Sequence, residues 1–149
     1  KKKKDKENSF FLLGPSRCID MGLDERFDNV NFYGYHVLEI LMELIGDEII
    51  SEEIFYDKGD FYLNIKSQVG YCRIVLLDNI NEAYFLGSTN NKDLNISEIL
   101  LDGSYNFNLM KNLIKGFKNN LAPINYKSTL NVINILDKMN SLKYKKWKN

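Results

Sequence analysis

Apolar residues in this chain repeat with two different periods, and the change falls at Gly46. Before it, Val37, Ile40, Leu41, Leu44 and Ile45 recur three and four apart, with Leu38 and Met42 at the margin and Glu39 and Glu43 opposite. That spacing predicts an amphipathic helix over about residues 36–45, ended by a glycine able to take positive φ. After it come four short runs rich in β-branched and aromatic residues: EIISEEIFY, DFYLNIKS, YCRIVLLD and EAYFLG. Asp57-Lys58-Gly59, Val69-Gly70 and Asp78-Asn79 separate them as turns. In the second run Phe61, Leu63 and Ile65 alternate with Tyr62, Asn64 and Lys66. Short connections favour antiparallel hairpins, so a meander is expected with one face buried and the other partly open.

The remaining segments are less regular. SFFLLG predicts a short strand stopped by Gly14-Pro15, and residues 14–35 read as an irregular loop. STNNKDLN reads as another loop. A helix is expected over about 105–118, with Phe107, Met110, Ile114 and Phe117 at helical spacing, Leu109 and Leu113 beside them, and Ser104 or Asp102 as cap. Another is expected over about 127–142, carrying Val132, Ile135, Leu136 and Met139, with Ala122-Pro123 between the two. Residues 1–8 read as a solvated, charge-rich tail and KYKKWKN as a frayed end. Grouped strands and grouped helices give the α+β class: one domain over 9–149, with a mainly antiparallel open sheet and helices packed on one face.

Composition changes this picture little. An apolar fraction of 44% and an aromatic fraction of 13% supply a core. Twenty basic residues balance twenty acidic ones, without the basic excess of a nucleic-acid binder, so no nucleic-acid partner is expected. No apolar run is long enough to span a bilayer and KKKKDKENSFFLLG lacks the form of a signal peptide, so no membrane association and a cytoplasmic location are expected. Cys18 and Cys72 form no CxxC and read as free thiols. The chain starts at Lys1, which leaves open that it is a piece of a longer protein.

Candidate chemistry centres on His36, the single histidine. The predicted helix puts it in the first turn, where the positive end of the dipole favours a neutral imidazole, and on the polar side near Glu39 and Glu43. Two readings stay open: a polar residue at a helix start, or a proton-transfer group. His36 and Glu39 make only two of the three or four ligands a metal needs, so no metal is expected. No GxSxG, P-loop or GxGxxG occurs in the chain.

From Phe32 onward, FYGYHVLEILMELIGDEIISEEIFY, then YCRIVLLD, then DGSYNFNLMKNLIKGFKNNLAPINYKSTLNVINILDKMNSLKYKKW, the chain resembles the carboxy-terminal domain of the Gfo/Idh/MocA oxidoreductases. Gly34, His36 and Glu39 match the family's glycine, histidine and acidic residue, and Pro123 and Ser141 match its closing helices. Many members carry an aspartate where this chain has Phe32. The resemblance implies an α+β domain whose open sheet mediates homodimer or homotetramer contacts. It implies NAD or NADP held mainly by a separate Rossmann domain, absent from this chain, and a sugar, polyol or related alcohol as substrate. It implies His36 as acid/base. Glu39 is expected as a substrate contact beside it, and so are Arg17, Asp20, Tyr33 and Tyr35, because they lie in the irregular stretch leading to His36. On this reading the open face bearing Tyr62, Asn64 and Lys66 is either the subunit interface or the floor of the substrate pocket. The rival expectation is a non-enzymatic sugar- or protein-binding scaffold of the same fold.

Overall fold

The computed structural model describes residues 8–18, 29–90, 93–100, 110–111, 114–116, 118–119 and 125–146. Six strands form one open sheet: β1 (Asn8–Pro15), β2 (Ile49–Asp57), β3 (Asp60–Ser67), β4 (Gly70–Leu77), β5 (Tyr84–Asn90) and β6 (Asp93–Ile99). Two helices complete the labelled elements, α1 (Val30–Ile45) and α2 (Tyr126–Lys146), and residues 110–111, 114–116 and 118–119 are also helical. Of the tail expected over 1–8, Asn8 instead opens β1, and residues 1–7, Asp102, Ser104, Phe107, Leu109, Leu113, Phe117, Ala122, Pro123 and Trp147 lie outside the described residues.

The α+β class holds, but the sheet is mixed. Its order is β2-β3-β4-β1-β5-β6, with β1 parallel to β4 and every other pair antiparallel. Helix α1 carries the chain from the end of β1 back to the start of β2, so β1 and β2 run the same way. Two hairpins then return the direction at β4, and β1 lies alongside it. The β4–β5 connection crosses the end of β1. There the Ser16 N–H donates to the Leu77 carbonyl (2.8 Å), the Ile80 N–H donates to the Arg17 carbonyl (3.3 Å), and Arg17 grips Asp78 through Nε–Oδ1 at 2.9 Å and Nη2–Oδ2 at 3.2 Å.

Four expectations give way. Helix α1 starts at Val30, six residues before the predicted start, because Asn29 caps it: its extended backbone lets Oδ1 accept the Asn31 N–H at 2.9 Å. The end is as expected, with Gly46 at φ 73° donating its N–H to the Met42 carbonyl. The buried stripe is Val30, Tyr33, Gly34, Val37, Leu38, Leu41, Met42 and Ile45, which moves Leu38 and Met42 into the core and leaves Ile40 and Leu44 half-buried. Of the expected loop STNNKDLN, residues 88–90 end β5 and residues 93–95 start β6. The lysine-rich end continues α2 to Lys146.

The core lies between the helices and one sheet face. Phe61, Leu63, Ile65, Cys72, Ile74, Leu76 and Leu12 meet α1 and the Val132, Ile135, Leu136 and Met139 stripe of α2. Asn131 Nδ2 donates to the Asp47 carbonyl at 2.7 Å and Asn140 Nδ2 to Asn31 Oδ1 at 2.6 Å, fastening α2 to both ends of α1, while Lys138 pairs with Glu52 on β2. Burial pushes the Cys72 thiol from its ordinary 9.0 up to about 12. A folded pKa above the unfolded one contributes stability below about pH 9 that is lost as pH rises toward 12. The urea midpoint is therefore expected to fall across that window, and Cys72→Ala to flatten the fall. An unchanged slope in the variant would contradict the burial of that thiol.

Candidate functional site

His36 is the seventh residue of α1, past the first turn where the dipole acts most strongly. Its flank of the helix faces β5. The imidazole is half-buried and meets three rings edge-on: Phe32 at 5.8 Å between centroids, Tyr35 at 6.1 Å and Tyr84 at 6.3 Å. Phe32 sits one turn before it and is 43% exposed, so this aromatic frame opens to solvent on one side. Tyr84, the first residue of β5, is buried, and its hydroxyl donates to Glu82 Oε1 at 3.3 Å. Burial first, and the Glu82 carboxylate second, push that hydroxyl well above the usual tyrosine range. Tyr84 thus keeps its proton near neutrality and stands as one wall beside the imidazole.

Gly34 is buried where α1 crosses β4 and α2. A Cβ there would stand 3.2 Å from Leu76 Cδ1 and 3.6 Å from Leu136 Cδ2. Its absence lets the helix lie low on the sheet and sets the height of His36 two residues on.

The other sequence-predicted contacts divide. Tyr33 is fully buried under α1, Tyr35 and Glu39 are half-buried on the His36-bearing part of the helix, and Asp20 lies outside the described residues. Arg17 lines a different place, a cleft of about 460 Å³ at the start of α1 whose walls include Asn29, Lys58, Asp78 and Lys143. His36 is not among its lining residues. The structure therefore gathers Tyr35, His36 and Glu39 on one helix, and it places Arg17 at the strand ends, engaged with Asp78. Tyr84 was missed as a neighbour of His36. No local signal ties two residues 48 positions apart when the intervening sheet order is unknown. Among the described residues no group of three or more His, Cys, Asp and Glu side chains stands ready to hold a metal ion, and no helix is long and apolar enough to cross a membrane.

The sheet face away from the helices is open and carries side chains in rows set by the strand registers. One row reads Phe55, Tyr62, Val75, Leu13, Phe85 and Glu98. The next reads Glu53, Asn64, Arg73, Phe11, Gly87 and Ile96. Phe55 is 57% and Ile96 60% exposed, an apolar face larger than scattered surface residues produce.

Among solved structures, the chain is similar to a crystal structure of a dehydrogenase, MviM, from Clostridium difficile, with a TM-score of 0.55 at 12% identity, over 91% of this chain and 54% of that one. At that identity the likeness is one of fold. The chain spans about half the length of the structure it matches. No protein-family profile and no curated protein matches the sequence.

Proposed function

We propose that this chain is the substrate-binding and oligomerising part of an NAD(P)-dependent oxidoreductase acting on a sugar, polyol or related alcohol, with His36 as its acid/base. The observation that carries the reading is the half-buried imidazole, held by Phe32, Tyr35 and Tyr84 on a fold shared with a dehydrogenase. That likeness supports the Gfo/Idh/MocA resemblance drawn from the sequence.

The chain has no glycine-rich nucleotide fingerprint, and its described strands build no phosphate cradle of the strand–turn–helix kind. A nicotinamide would be held on a separate nucleotide-binding domain and would exchange hydride with the substrate carbon. What this chain supplies is the proton transfer: His36 accepts the proton of the substrate hydroxyl, or returns it in the reverse direction. The aromatic edges limit the water around the ring and fix its plane. Tyr35 and Glu39 stand beside it to meet neighbouring hydroxyls.

A second reading has its own support. Phe32 occupies the position where many members of the family carry an aspartate, and it packs against His36 at 5.8 Å. An apolar ring there fits a sugar- or protein-binding scaffold without turnover. The natural full-length protein, assayed for NAD(P)H formation over a panel of sugars and polyols, separates the two. Substrate-dependent reduction is expected. Sugar binding without reduction of either NAD or NADP would favour the scaffold.

A further inference from the structure

We infer that the cleft at the start of α1 is a second binding site, for a phosphate monoester whose body is a flat, largely apolar ring. This goes beyond the function proposed above and does not rest on it, because His36 is not among the residues that line the cleft.

The walls are fixed by the fold. The cleft lies on the helix side of the sheet, between the end of β1, the β2–β3 turn, the start of α1 and the last turn of α2. Ser16 Oγ donates to the Gly59 carbonyl at 2.9 Å, and the Asp78 N–H donates to Asp60 Oδ1 at 2.8 Å. Both bonds tie the turn to the ends of β1 and β4, so the opening stands ready without a ligand. Its volume of about 460 Å³ falls within the range of about 300–1,000 Å³ usual for small-molecule sites and exceeds what a bare phosphate fills.

Charge selects the anion. The charged side chains lining the cleft are Arg17, Lys58, Asp78 and Lys143. Arg17 and Asp78 offset each other through their two-point contact. Lys58 and Lys143 have no ion-pair partner among the described residues. They come from different elements, the turn and α2, and leave an excess of two positive charges. Asp57 and Asp60 flank the turn but do not line the cleft. Two ammonium groups match the charge of about −1.5 to −2 that a phosphate monoester carries near neutrality. A carboxylate answers one of them.

The backbone of Lys58 points the same way. Lys58 and Gly59 are the central residues of a two-residue hairpin, at φ 50° and 104°. Positive φ at both is the type I′ pattern, whose first place suits asparagine, aspartate or glycine. A lysine there is strained, and use of its ammonium gives that strain a reason.

The body of the ligand follows from the rings. Tyr56 and Phe61 pair across β2 and β3 with centroids 4.8 Å apart, Phe61 buried and Tyr56 half-buried. Both line the cleft. A flat ring laid against Tyr56 buries apolar surface and gains an aromatic contact, while its phosphate meets the lysines.

Calorimetric titration of the natural full-length protein with phenyl phosphate tests the inference, with benzoate and inorganic phosphate as comparisons. Phenyl phosphate is expected to bind more tightly than either. Lys58→Asn should weaken it about tenfold, the loss of one charge-assisted contact, with a thermal midpoint no lower than wild type, because asparagine suits the turn. Lys143→Gln should weaken it to a similar extent. Tyr56→Leu should remove the advantage over inorganic phosphate. Lys66→Gln, on the open face, should leave the affinity unchanged. Phenyl phosphate affinity indifferent to both Lys58→Asn and Lys143→Gln would overturn the site, and so would an equal loss in Lys66→Gln, which is the mark of unspecific charge attraction. Benzoate bound as tightly as phenyl phosphate would sink the phosphate assignment, and inorganic phosphate bound as tightly would sink the ring.

Discussion

Replacing His36 by Asn is expected to lower kcat of the full-length protein about 10²–10⁴-fold, the range that a positioned acid or base contributes, with KM changed by much less. Asparagine keeps a polar group of similar reach between Phe32, Tyr35 and Tyr84 but exchanges no proton in the working pH range. The loss thus reads the proton transfer rather than the packing. A purely structural histidine predicts another result: a lower thermal midpoint and a proportionate loss of folded protein, with kcat per folded molecule intact. The pH profile gives a second readout. The limb of the kcat profile that the imidazole imposes is present in the wild type and absent in the variant. Full turnover in the variant, at unchanged stability, would remove His36 from the proton transfer. The test does not depend on the cleft, because His36 is not among the residues that line it.

His36 was legible as a candidate because it is the single histidine and follows a glycine at the family's spacing. Its surroundings were not. The segment NVNFYGY has the asparagines, glycine and aromatics of a poor helix former, and burial of Tyr33, burial of Gly34 against β4 and α2, and the Asn29 cap make it helical. The β2–β3–β4 hairpins were readable because one face is covered and the other open, which imposes strict alternation on Phe61 to Lys66. β6 escaped notice for the opposite reason. Asp93 to Glu98 are exposed on both faces, so no alternation marks them, and asparagines and an aspartate stand where a loop is expected. The parallel partnership of β1 with β4 joins residues about 60 positions apart and has no local sign.

Gly14, like Gly34, is a backbone position on which the height of α1 over the sheet depends, and Gly14→Ala is expected to destabilise the fold by about 1–3 kcal/mol, the usual cost of forcing a methyl into a packed core. A Cβ at this position of β1 would stand 2.6 Å from Val37 Cγ2 and 3.1 Å from Tyr84 Cδ1. Neither neighbour has room to move. Val37 is 1% exposed, with a β-branched side chain stiff about χ1, and Tyr84 is 2% exposed, with its hydroxyl tied to Glu82. The relief available is to lift α1 away from β1, and the helix carries His36 beside Val37. The substitution should therefore do two separable things. It lowers the urea midpoint with little change in m-value, because the folded state is strained rather than opened. It also lowers kcat in the molecules that remain folded, because the ring loses its edge contact with Tyr84. Thr89→Ala, on the open face at the far end of β5, serves as the control, with stability expected within about 0.5 kcal/mol of wild type. A Gly14→Ala protein as stable as the wild type would mean that α1 does not ride as close to β1 as the 2.6 Å approach requires.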